Sequence, residues 1–112
     1  MKIKLLFFLV ILSFAWNSCK KKETGSPGPN EMWLEYKAYN PSQMQVDSGT
    51  TVKFINKDNA DHSVTSNSGI FSSGKITSGN SYSYTFNVKG NFYFYCDYHN
   101  SNSSEQGVIV VK

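Results

Sequence analysis

Residues that usually carry chemistry are scarce in this chain. Its 112 residues include only two histidines, His62 and His99, and only two cysteines, Cys19 and Cys96. All three methionines, Met1, Met32 and Met44, precede His62. One-sided charge is missing as well: from Glu31 onward six lysines face seven acidic residues, so the basic pI of about 8.8 belongs to the N-terminal tail. A domain so close to neutral excludes a nucleic-acid footprint. No stretch holds a 3.6-residue apolar period for long, and no internal repeat is visible. The length leaves room for one small domain.

The one long apolar run, Leu5 to Leu12, is too short for a comfortable membrane span. Lys2 and Lys4 precede it, and small and polar residues follow up to Cys19, the layout of a secretory signal. We therefore expect residues 1–18 to be a signal peptide. Cys19 followed by Lys20, Lys21 and Lys22 resembles a bacterial lipoprotein signal, which implies that Cys19 carries lipid and that the protein is exported, a periplasmic or cell-envelope lipoprotein held at a membrane. Ser18 fits the position before the cut, whereas Trp16 stands where a Leu-type residue is usual. The three lysines either add attraction to anionic headgroups or form a translocation and solubility tail. Residues 19–30 read as the lipid-bearing Cys19 and a linker; its residues 20–30, with Pro27, Pro29, Gly and Ser, reach roughly 36 Å at about 3.3 Å per residue.

Residues 31–112 read as an all-β domain. Runs rich in Val, Ile, Phe, Tyr and Thr predict strands near Met32–Tyr39, Gln43–Val46, Thr51–Asn56, His62–Ser66, Ser81–Asn87, Asn91–Cys96 and Val108–Lys112. Turn chemistry falls between them, at Asp47-Ser48-Gly49, Asn56 to Asn59, Ser78-Gly79 and Lys89-Gly90. Tyr82, Tyr84 and Phe86 alternate with Ser81, Ser83 and Thr85; Phe92, Phe94 and Cys96 share one face, and Tyr93 and Tyr95 the other. The last strand, Val108-Ile109-Val110-Val111, has no polar side and is expected to be buried on both faces. Short strands in this number predict a two-sheet sandwich or barrel.

If Cys19 is lipidated, Cys96 is a lone thiol in an oxidising compartment, where an exposed free thiol would be a liability. Each candidate has an ordinary explanation: Cys96 a small buried hydrophobe, His62 a loop histidine. Together, at strand ends that a sandwich can bring to one pole, His62, Cys96 and His99 form a borderline-to-soft donor set that fits a trigonal copper site with a weak axial ligand.

The surrounding residues carry a resemblance. "YNPSQMQVDSGTTVKFINKDNADHSVT" is similar to the cupredoxin segment P-x-x-hydrophobic-x-V-x-x-G-x-x-V-x-F-x-N-x-D that ends in the first histidine ligand. "FSSGKITSGNSYSYTFNVKGNFYFYCDYH" is similar to the family's S-G-x-hydrophobic-x-x-G stretch, its aromatic strand and its C-x-x-H ligands. The resemblance spans about Tyr39 to Lys112 and implies a Greek-key β-sandwich of about seven to eight strands. It also implies one copper ion held at one end by His62, Cys96 and His99. Ser63 stands where the family often has Asn linking the two ligand loops. Tyr95 is either a partner-facing tyrosine, as in plastocyanin-like proteins, or an ordinary strand aromatic. Tyr98 and Asn100 flank His99 and are expected on the docking face.

The departure is axial. The family's methionine lies beyond the second histidine, where this chain has none; counting back from Gly107, the place falls on Glu105, with Gln106 the alternative one residue away. Either oxygen favours Cu(II) over Cu(I) relative to a thioether; a third possibility is a three-coordinate site. The resemblance implies a one-electron carrier between extracytoplasmic redox proteins such as a c-type cytochrome or an oxidoreductase, and not an enzyme, since no histidine remains to act as base or catalytic ligand. The alternative is a copper-binding, delivery or storage lipoprotein; a domain that has lost its metal is a third reading, which the retained ligand residues count against.

Overall fold

The computed structural model describes residues 25–99 and 105–112. The expected signal segment, Cys19 and Asn100 lie outside the described residues. Eight strands are present: β1 Glu31–Glu35, β2 Ala38–Asn40, β3 Gln43–Val46, β4 Thr50–Asn56, β5 Thr65–Ser66, β6 Ser81–Phe86, β7 Gly90–Tyr95 and β8 Gln106–Val111. They form two four-stranded sheets, ordered β2-β1-β4-β6 and β3-β8-β7-β5. The expected all-β sandwich is the fold found. Among the described residues Asp97–His99 forms a single 3₁₀ turn, directly after β7.

Alternation does most of the building. In β6 the exposed Ser81, Ser83 and Thr85 alternate with ring-bearing residues that turn inward, ending in the buried Phe86. On the outer face the hydroxyls of Thr51 and Thr85 meet at 2.7 Å across the β4–β6 pair. β7 carries the same pattern toward the site: Phe94 is buried, and Cys96, two residues later, keeps its phase and is buried too.

Phe94 is the hub of the core. Tyr39 and Phe54 meet its ring edge-on, with centroids at 4.9 and 5.6 Å. Across the ladder Phe94 is paired with Gly107, and its ring occupies the space a side chain there would need. A Cβ at Gly107 would lie 2.5 Å from Phe94 Cζ and 3.0 Å from the Ser42 carbonyl oxygen. Glycine is what permits β8 to close on β7 at this level.

Three expectations need correction. The run Met32–Tyr39 is two strands, because Lys37 takes a left-handed conformation (φ 54°) and turns the chain so that Glu35 pairs with Ala38. Only Thr65–Ser66 of the run 62–66 joins a sheet. His62 instead makes an isolated bridge with Ile76, its N–H donating to Ile76 O at 3.1 Å and its carbonyl accepting from Ile76 N at 2.8 Å. The last strand is not buried on both faces: Gly107, Ile109 and Val111 are, whereas Val108 and Val110 are half-buried on the outer face.

Replacing Gly107 with Ala is expected to destabilise the fold by about 1–3 kcal/mol, the usual cost of overpacking a filled core. Urea unfolding checks it; a midpoint equal to that of the unaltered protein would show that the ring yields freely.

Candidate metal centre

β7 delivers Cys96 and the 3₁₀ turn delivers His99, whose N–H donates to the Cys96 carbonyl at 3.2 Å. The loop between β4 and β5 delivers His62. β8 delivers Glu105, the residue just before its first pair: Tyr95 faces Gln106 across the ladder, so Cys96 and Glu105 are next in register and share the inward phase. Their four ligand-type atoms lie within 4.8 Å of one another.

Cys96 Sγ is 3.9 Å from His62 Nδ1 and 3.5 Å from His99 Nδ1. Glu105 Oε2 is 2.5 Å from His62 Nδ1, and Oε1 is 3.0 Å from His99 Nδ1. His62, Cys96 and Glu105 are fully buried, while the His99 side chain is 28% exposed, so this ring is the centre's edge toward solvent. Glu105 Oε1 is buried and lies 3.0 Å from His99 Nδ1 without making a hydrogen bond. A thiolate, two imidazoles and a carboxylate fit a borderline metal ion.

The acid–base state follows from burial. Desolvation pushes the Cys96 thiol above its ordinary range; contacts with the backbone at Ser63 and Tyr98 lower it partway, and the Glu105 carboxylate adds to the rise. Such a thiol is protonated at neutral pH, so a metal ion binding there displaces the proton. Tyr39, raised chiefly by burial and then by Cys96, stays a donor and gives its hydroxyl hydrogen to the Ser63 carbonyl at 2.8 Å.

Ser63 lies between the loops. Its hydroxyl accepts the Asp97 amide hydrogen at 2.8 Å, joining the His62 loop to the turn between Cys96 and His99. Thr65 adds a hydrogen bond to Asp97 Oδ2 at 2.9 Å. Of the two oxygen donors considered from the sequence, Glu105 is in the cluster; Gln106 is exposed and in the opposite phase of β8. Tyr95 points to the outer face beside Tyr93, and Tyr98 is 47% exposed next to His99.

One contact was not read from the sequence. Asp58, four residues before His62, places Oδ2 2.8 Å from His62 Nε2, so this imidazole has a carboxylate at each nitrogen. The hydrogen bond from His62 holds the Asp58 carboxyl below its usual range, against the opposing effect of burial. The residues Asn56 to Asn59 read as turn chemistry, with Asn56 and Asp58 also the last two positions of the family segment; that motif and the i, i+4 spacing of Asp58 and His62 are the signals that could have drawn attention to the contact.

Comparison with known proteins places this geometry. A family model described as Cupredoxin-like domain matches residues 6–111. No curated protein sequence matches the chain. Among solved structures, a novel purple cupredoxin from Nitrosopumilus maritimus superposes with TM-score 0.66 at 22% identity, covering 73% of this chain and 98% of that one. An oxidised mutant of amicyanin gives 0.67 at 23% identity, covering 73% and 80%. Oxidised plastocyanin from Dryopteris crassirhizoma gives 0.63 at 17% identity, covering 73% and 99%. The match to the family model extends over nearly the whole length, and the chain belongs to the cupredoxin-like family.

Proposed function

We propose that the protein is a mononuclear copper protein that carries single electrons between extracytoplasmic redox partners. The observation that carries this reading is the convergence of His62, Cys96 and His99 with Glu105 at one pole of a cupredoxin-like sandwich. Copper bound there supplies a one-electron couple. The residues do the rest: His62, Cys96 and His99 would hold the ion as its strong ligands, and Glu105 would be the weaker fourth donor. Burial of three of the four donors excludes water from the centre. Ser63 fixes the separation of the two loops, so the donors need not reorganise between redox states. The exposed edge of His99, with Tyr98 beside it and Asn100 after it, is the docking face for a redox protein such as a c-type cytochrome.

Tyr95 belongs to a second candidate surface. The outer face of β7 and β8 presents Tyr93, Tyr95, Val108 and Val110, with no charged side chain among them. A lipid on Cys19 would hold the domain at a membrane through the linker. The delivery alternative has less support, because three buried donors oppose ready exchange of the metal.

Copper(II) bound to the full chain is expected to give an intense visible band from the thiolate, with a copper EPR signal. Cys96→Ser is expected to abolish that band; its survival would sink the assignment. Rapid loss of copper to a weak chelator would favour delivery over electron transfer.

A buried carboxylate favours Cu(II), so Glu105→Met is expected to raise the reduction potential. Each tenfold change in the ratio of Cu(II) to Cu(I) affinity corresponds to about 59 mV. Voltammetry of Glu105→Met and Glu105→Gln beside the unaltered protein checks it, and identical potentials and spectra would remove Glu105 from the ligand set.

A further inference from the structure

Given the copper reading above, we propose that Asp58 is a positioning residue for the centre: its carboxylate, held against Nε2 of His62, fixes that imidazole and favours Cu(II) over Cu(I) at Nδ1. The contact is built by the loop. Asp58 Oδ2 stands 2.8 Å from His62 Nε2, while Oδ1 accepts the Asn59 amide hydrogen at 2.8 Å, so neither oxygen is free to turn away. The Asp58 amide donates to Asn56 Oδ1 at 2.9 Å. Asn56, fully buried, sends its own amide hydrogens to Ala60 O and Ile76 O, both at 2.8 Å. Ile76 is also the residue whose backbone bridges His62 in both directions. One buried asparagine therefore ties the carboxylate and the imidazole to the same frame.

The chemistry follows from that geometry. With Nε2 donating to a carboxylate, the His62 ring is held in the tautomer that leaves Nδ1 for the metal. An anion at the far nitrogen makes the imidazole a stronger donor, which benefits the more highly charged ion more. Asp58 is only 14% exposed in its side chain, so solvent screens it incompletely. Asp61, in the same loop, is a natural control. Its side chain is 45% exposed and faces Lys75 at 4.0 Å instead of His62.

The test uses the copper-loaded full chain. Asp58→Asn keeps an acceptor of the same shape and removes the charge. It is expected to retain the thiolate band, to lose about 10-fold to 100-fold in Cu(II) affinity, the usual cost of removing such a partner, and to raise the reduction potential. If Cu(I) affinity is unchanged, a tenfold loss corresponds to a rise of about 59 mV. Asp58→Glu is expected to restore part of the effect, and Asp61→Asn to leave the potential unchanged. An intact band with an unmoved potential in Asp58→Asn overturns this inference alone. So does an equal rise in Asp61→Asn, which would make the effect one of general loop charge. Absence of the thiolate band from the unaltered protein overturns the copper reading and this inference with it.

Discussion

The register between β7 and β8 is the constraint on which the rest of the molecule depends. Phe94 lies over Gly107, Tyr95 faces Gln106, and one step further Cys96 faces Glu105. A slip of one residue would carry Glu105 and its phase-mates to solvent and bring Gln106 to the sulfur. It would also place Val108 against the Phe94 ring, where only a glycine fits. Core packing and the composition of the metal pole are therefore specified by the same steric contact. The thiolate's position is set by how β7 packs, and the carboxylate's by the pairing this packing enforces.

That coupling explains what could and could not be read in advance. Alternating Tyr, Phe and Ser residues in β6 and β7 declare their two faces, so the sandwich and the shared face of Phe92, Phe94 and Cys96 were legible, while the role of Phe94 as hub was not. β8 declares nothing, since Val108 to Val111 are apolar at every position. Its phase comes from Gly107 and the ring above it, and so the choice between Glu105 and Gln106 stayed open. The turn at Tyr36 and Lys37 was hidden for a related reason: lysine is an ordinary strand-edge residue, and nothing local announces a left-handed backbone there. Asp58 was visible as the last position of the family segment, but Asn-Lys-Asp-Asn makes a good turn by itself, and so its contact with His62 went unread.

The electrostatics of the pole are lopsided. His62 lies between two carboxylates, Asp58 outside and Glu105 inside, while His99 has one carboxylate, Glu105, beside the Cys96 sulfur and is open to solvent on its other side. One imidazole is thus enclosed and fixed, the other open at the surface. Holding negative charge in a water-poor site is costly unless something positive compensates it. Glu105 is fully buried, and among the described residues the basic side chains that face it are the two imidazoles, His62 at Oε2 and His99 at Oε1.

The parallel pairing of β1 with β4 has a consequence at the scale of the whole domain. β1 runs in the direction of β4, from Glu31 beside Lys53 toward Leu34 beside Asn56, and so toward the loop that bears His62. The chain that precedes Glu31 therefore enters from the opposite end. A tension applied through residues 25–30 would therefore act on the end of the sandwich away from the His62 loop and leave the histidine edge facing outward.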